Sequence, residues 1–262
     1  MIVIKYGGHA MVNQEIASSV ANDVVALVRK GEQVILVHGG GPQIETELKA
    51  RSIASTTVAG LRVTTPEMMD IIEMVLTGRV LRDVTNSIIQ AGGQAVGVTG
   101  RDAQLLIAEP LTKSAKGELI DVGRVGEIVT VNPELLQELL SSGFIPVVAP
   151  VSADSGGVTY NVNADSAAGA IAGALGVERV IFLTDVPGLM RNWPDVDSLI
   201  ERISYDEAKA LLPTLADGML PKIAACLHAI EKGAKSAQIV DGRKPGSIKS
   251  ALEENQGTVI SA

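Results

Sequence analysis

Two apolar strands that both run into glycine constrain this chain more than any other feature. Ile2-Val3-Ile4 leads through Lys5 and Tyr6 into Gly7-Gly8, and Val34-Ile35-Leu36-Val37 leads into His38-Gly39-Gly40-Gly41-Pro42. A strand that ends in glycine offers bare backbone amides at its carboxyl end, where a ligand can come close. Lys5 adds a cation at the first of these ends. Pro42 suits the first position of a helix, and a helix starting there turns its positive end towards whatever the glycines hold. A tight turn alone would explain the triple glycine, and a sheet-edge charge alone would explain Lys5. The pairing of two glycine ends favours one anion-binding crevice.

The rest of the chain alternates between strands and helices. Asn13 can cap a helix whose apolar positions Ile16, Val20, Val24 and Leu27 recur every three or four residues until Gly31. Pro42 to Arg51 reads as a second helix, and Thr65-Pro66 opens a long one ending at Gly92-Gly93. Strands are expected over Ala95–Val98, Phe144–Pro150, Val158–Asn163, Arg179–Thr184, Ser236–Val240 and Thr258–Ile260, and a small antiparallel flap between Leu105 and Val131. Further helices are expected over Pro133–Ser142, Ala164–Leu175, Ser204–Leu212 with a Ser204/Glu207 capping box, Gly218–Lys232 and Ser247–Asn255. This order predicts an α/β fold with a mainly parallel sheet covered on both faces. No low-complexity linker divides the chain, so a single domain is expected, with a lobe boundary near Gly176.

Composition narrows the partners. The net charge is -8 and six residues in 262 are aromatic, so neither a basic face nor a stacking platform for nucleic acid is offered. No apolar run reaches membrane-spanning length and no basic leader precedes the first strand, so a cytoplasmic protein without membrane contact is expected. Cys226 is the one cysteine, and His9, His38 and His228 lack metal-ligand spacing, so no structural metal is expected. P-loop, dinucleotide and G-x-S-x-G signatures are absent from the sequence.

Three polar stretches remain. In Asn161-Val162-Asn163-Ala164-Asp165 the two asparagines share one face of an extended segment, and each amide both donates and accepts. Asp165 then reads either as a helix N-cap or as an acid that holds two lysines and keeps them charged. In Asp217-Gly218-Met219-Leu220-Pro221-Lys222 the lysine falls in a first helical turn, where the macrodipole disfavours a cation. Arg62, in Gly60-Leu61-Arg62-Val63-Thr64, could fork onto a carboxylate or lie beside a turn. In an acidic chain, a cluster of Lys5, Arg62 and Lys222 would mark where an anion binds.

Taken together, IKYGGHAM, LVHGGGPQI, GLRVT with EMVLTG, NVNAD, LTDVPGL, DGMLPK and VDGR resemble the amino-acid kinase family, in family order and over nearly the whole chain. The resemblance implies a three-layer αβα sandwich with a mainly parallel central sheet of about eight strands. It also implies a homodimer, an acetylamino-acid lobe over 1–176 and an ATP lobe over 177–262. The implied reaction phosphorylates the side-chain carboxylate of N-acetyl-L-glutamate in arginine biosynthesis, using ATP with Mg²⁺ bound mainly through the nucleotide phosphates. Lys5 and Lys222 would stabilise the transferring phosphoryl group and Asp165 would order them. Gly8, Gly40, Gly41, Arg62, Asn161 and Asn163 would hold the acetylated substrate. Gly7, Asp185, Val186, Pro187, Gly188, Leu189 and Met190, with Thr214, Leu215, Ala216, Gly218 and Met219, would line the nucleotide site. Members inhibited by arginine carry an N-terminal helix before the first strand; here that strand starts at Ile2, which implies an arginine-insensitive dimer. A kinase acting on carrier-bound α-aminoadipate or glutamate, and a silent amino-acid or nucleotide sensor, are the alternatives.

Overall fold

The computed structural model describes residues 1–7, 11, 13–114, 117–215 and 219–261. In chain order the elements are β1 (Ile2–Tyr6), α1 (Gln14–Arg29), β2 (Val34–His38), α2 (Gly41–Ala50), β3 (Thr57–Val58), β4 (Leu61–Arg62), α3 (Pro66–Glu73), α4 (Leu81–Gln90), β5 (Ala95–Thr99), β6 (Leu106–Pro110) and β7 (Val125–Val131). They continue with α5 (Glu134–Ser141), β8 (Ile145–Ala149), β9 (Val151–Ala153), β10 (Thr159–Val162), α6 (Ala164–Ala174), β11 (Arg179–Thr184) and β12 (Arg202–Ser204). The last are α7 (Tyr205–Leu211), α8 (Leu220–Glu231), β13 (Ser236–Asp241), α9 (Ser247–Glu253) and β14 (Thr258–Ser261).

Eight strands form one sheet in the order β12-β14-β13-β11-β1-β2-β8-β5. Its neighbours pair in parallel except β13 with β14. Strand β1 therefore lies in the middle, and the reading of Lys5 as an edge charge is excluded. Side chains of β1 alternate between two cores, as strand geometry requires. Ile2, Ile4 and Tyr6 face the layer of α1, α3, α4 and α9, while Val3 shares its side with α6, α8 and Phe182. By the same alternation Lys5 falls on the α6 and α8 side. These are the three layers that the sequence predicts.

Local signals placed most helices. Asn13 accepts the N–H groups of Glu15 and Ile16 as the cap of α1, Thr65 accepts that of Met68, and Ser204 with Glu207 completes the expected capping box.

The chain departs from expectation in three places. The flap is part of a closed ring, β10-β7-β6-β9, in which β6 and β7 are antiparallel but β7 and β10 run parallel. Strands β9 and β12 and the two-residue hairpin β3–β4 were not expected. The long helix after Thr65 is interrupted between α3 and α4, where Met74–Val80 form a π-helical turn.

Candidate active site

In an open parallel sheet, ligands bind beyond the carboxyl ends of the strands, where successive crossovers diverge. Strand β1 is such a point, because β2 follows on one side of it and β11 on the other. The glycines that leave β1 and β2 open onto this place. Around it lies a cleft of about 300 Å³ lined by Lys5, Gly39, Gly40, Gly41, Arg62, Leu76, Val125, Asn161, Asn163 and Asp165, among others.

Lys5 is the cation at the floor of the cleft. Its side chain is 11% exposed and its ammonium lies 2.9 Å from Oδ1 of Asp165, itself 10% exposed. The contact is an ion pair without hydrogen-bond alignment, since that oxygen accepts no hydrogen bond. Asn163, not Asp165, caps α6: its Oδ1 accepts from the backbone N–H groups of Asp165 and Ser166. The carboxylate is thereby free of the capping task and turns to Lys5.

The packing of α6 on α8 positions Lys222. A Cβ on Gly169 would lie 2.8 Å from the Ala225 carbonyl, and one on Gly173 would lie 3.2 Å from that of Ala229, an offset of 56 residues both times. The two helices therefore run parallel at close approach. One turn earlier, the same offset sets Asp165 opposite Pro221-Lys222. The Cys226 thiol, one turn beyond Lys222, is pushed up by burial and then by the Asp165 charge. Lys5 faces this helix layer from the central strand, and Asp165 and Lys222 lie in the first turns of its two helices.

The other cleft residues are held from several directions. Asn161 donates from Nδ2 to Thr64 Oγ1 at 3.4 Å, and Thr64 Oγ1 donates to the Arg62 carbonyl at 2.9 Å. The Arg62 guanidinium, 17% exposed, pairs with Glu45 of α2 at 2.6 Å and also donates to Ser55. Glu45 is 56% exposed, so a ligand carboxylate could replace it at modest cost. Gly41 starts α2 and Gly40 precedes it.

On the other side of β1, Gly7 lies against the end of β11. A Cβ there would sit 2.9 Å from the Leu183 carbonyl and 3.6 Å from the Lys5 ammonium, so only glycine leaves this wall bare. The loop of Asp185, Val186, Pro187, Gly188, Leu189 and Met190 leaves β11 immediately afterwards. Leu189 and Met190 are buried, and the Leu189 N–H donates to Thr258 Oγ1 at 2.8 Å. Thr214 donates to the Leu211 carbonyl, while Leu215 and Met219 pack on the core that α8 covers. Gly8, Ala216 and Gly218 lie outside the described residues. Among the described residues no three His, Cys, Asp or Glu side chains gather as a metal site.

Sequence reasoning passed over two residues. Leu76 reaches the cleft from the π turn. His38, fully buried at the end of β2, has Nδ1 2.7 Å from the Gly39 carbonyl, so Nδ1 carries the proton and donates, while buried Nε2 has no partner. Burial lowers its pKa from 6.5 to about 4. The unfolded chain therefore binds the proton more readily than the folded one, and stability falls as pH drops from 6.5 towards 4, by a total on the order of 3 kcal/mol. His38→Asn is expected to flatten this part of the pH profile. Urea unfolding of both proteins across that window reads the difference; parallel profiles would mean that His38 is solvated.

A largely parallel sheet with a crevice beyond the carboxyl ends of its strands defines a doubly wound α/β protein. The chain belongs to the amino acid kinase family, whose pattern matches residues 1–241. Among curated relatives, an acetylglutamate kinase of Corynebacterium urealyticum is 46% identical over 100% of this chain and 87% of its own length. Another, from Arthrobacter sp., is 50% identical over 94% and 82%. Among solved structures, N-acetylglutamate synthase from Neisseria gonorrhoeae, complexed with coenzyme A and N-acetyl-glutamate, superposes with a TM-score of 0.83 at 24% identity. That match covers 100% of this chain and 59% of the synthase, and it speaks for the fold alone.

Proposed function

We propose that this chain transfers the γ-phosphoryl group of ATP to the side-chain carboxylate of N-acetyl-L-glutamate, releasing ADP and an acyl phosphate. The observation that carries the reading is the buried Lys5–Asp165 pair on the floor of a cleft that Arg62, Asn161 and the Gly39–Gly41 turn also line. Relatives named acetylglutamate kinase, which match 100% and 94% of the chain, supply the substrate.

The chemistry asks little of the protein beyond charge and position. A glutamate side-chain carboxylate ordinarily titrates near about 4.3 and is already ionised at neutral pH, so no general base is needed. One of its oxygens attacks the γ-phosphorus as the bond to the ADP oxygen breaks. Negative charge on the migrating group is met by the Lys5 and Lys222 ammonium groups, with Asp165 keeping both aligned. Arg62 would hold the substrate's free carboxylate, Asn161 and Asn163 its amide, and the backbone at Gly40 and Gly41 would close around it.

The nucleotide would lie across Gly7, whose bare wall leaves room beside Lys5. The 185–190 loop and the 214–219 segment would flank the nucleotide, giving an acetylamino-acid lobe over 1–176 and a nucleotide lobe over 177–262. Mg²⁺ would be held mainly by the nucleotide phosphates and would neutralise their charge. Exposed Met74 and Ile89 on the long helix fit a homodimer. A cytoplasmic site of action matches the substrates.

Incubation with ATP, Mg²⁺ and free N-acetyl-L-glutamate, followed by hydroxylamine trapping, is expected to yield the hydroxamate together with ADP. ADP formation only with a carrier-bound substrate would replace this reading with that of the carrier-dependent kinase. Binding without turnover of either substrate would make the protein a sensor.

A further inference from the structure

The π turn between α3 and α4 has a cause in the sequence and a consequence in the cleft. From Ile71 onward the buried pairs along this helix are Ile71-Ile72, Val75-Leu76, Val80-Leu81 and Val84-Thr85. Their steps are four, five and four residues, and a step of five overshoots an α-turn by more than one residue. The π turn absorbs the excess, with the Leu81 N–H donating to the Leu76 carbonyl five residues back. In its place, a plain α-helix that kept α4 packed on the sheet would swing Leu76 about 100° away, the angle of one residue.

Leu76 is thereby held over the triple glycine. A Cβ on Gly40 would collide with Leu76 Cδ2 and approach Val80 Cγ2 to 3.5 Å. The φ of Gly40 is 172°, outside the left-handed region, and the group that a Cβ would meet first is Leu76. Leu76 also lines the cleft, together with Ile44, Leu61, Val125 and Val162. A ligand made only of carboxylates would gain nothing from five aliphatic side chains in so small a space.

We infer that Leu76, fixed by the π turn against Gly40, is a specificity-determining residue that limits the N-acyl group of the substrate to two carbons. The inference rests on the proposed reaction and assigns a size gauge to its acyl end. The added methylene of a propionyl group would press on a side chain that the π turn sets against the Gly40 backbone. Such a pocket separates ligands differing by one methylene about 10- to 200-fold.

The test compares kcat/KM for N-acetyl- and N-propionyl-L-glutamate in the wild type, Leu76→Ala, Leu76→Val and Val84→Ala. Val84 is buried in the same helix but does not line the cleft, so its variant controls for general loosening. The wild type is expected to favour acetyl by at least tenfold. Leu76→Ala should cut that preference by tenfold or more, Leu76→Val should cut it less, and Val84→Ala should leave it in place. If Leu76→Ala does not fold, the Leu76→Val ratio decides. An unchanged ratio in the folded Leu76 variants, an equal shift in Val84→Ala, or no preference in the wild type overturns the gauge while leaving the reaction standing. A wild type that turns over neither substrate overturns the proposed reaction and the gauge with it.

Discussion

Lys5→Met is expected to lower kcat by about 10²- to 10³-fold and, separately, to destabilise the fold by roughly 3–5 kcal/mol. The two losses have different origins. Lys5 stands in the central strand with its ammonium 2.9 Å from Asp165, and both side chains are about nine-tenths buried. Removing Lys5 takes away the close partner of a buried carboxylate, and that accounts for the loss of stability. Turnover falls because an ammonium no longer faces the phosphoryl group.

The double variant Lys5→Met/Asp165→Leu separates these effects. Replacing both members of a buried pair with apolar groups is often neutral for stability or better. The double variant should therefore regain most of the urea midpoint lost by Lys5→Met and none of its activity. Were activity to return with stability, the pair would be a structural element and the phosphoryl group would lie elsewhere. A single variant that kept kcat within tenfold of wild type would have the same meaning.

How much of this could be read beforehand depended on how local each cause was. Asn13, Thr65 and the Ser204/Glu207 box mark helix starts through bonds spanning two or three residues, and those helices start where expected. The glycine ends of β1 and β2 were visible because each is a continuous stretch, and the cleft does bring Lys5, Gly40, Gly41, Arg62, Asn161, Asn163 and Asp165 together.

Strand direction was another matter. Alternating apolar residues record which face is buried but not which way the neighbour runs. Neither the antiparallel β13–β14 pair nor the closed ring that incorporates the flap was therefore legible. Strands β3 and β4, two residues each, are too short to carry a pattern. Lys5 before a glycine turn looks the same at an edge or at a centre, and only burial between β2 and β11 separates the two. By residue type Asn163 and Asp165 could both cap α6, and only the structure assigns the cap to Asn163. The π turn did leave a trace, the step of five from Val75-Leu76 to Val80-Leu81, which a search for steps of three and four passes over.

Lys222→Ala is expected to reduce kcat by about 10²- to 10³-fold while changing the dissociation constant of a non-hydrolysable ATP analogue by less than about threefold, well under 1 kcal/mol. Lys222 occupies the first turn of α8, where the helix dipole works against a cation, so its position has a cost that function can explain. The constant offset between α6 and α8 sets it opposite Asp165, on the same side of the sheet as Lys5. A cation at that position would meet charge that shifts during transfer more than charge present in the bound nucleotide. Interactions made mainly in the transition state lower kcat and kcat/KM together and leave ground-state affinity in place. Lys222→Arg should recover part of the loss, since it keeps the charge but spreads it over a planar group of different reach. Single-turnover rates and equilibrium titration of the analogue, on the same preparations, separate the two quantities. Equal losses in affinity and turnover would reduce Lys222 to a nucleotide ligand. Among the described cleft cations the migrating phosphoryl group would then depend on Lys5, because Arg62 is paired with Glu45 of α2.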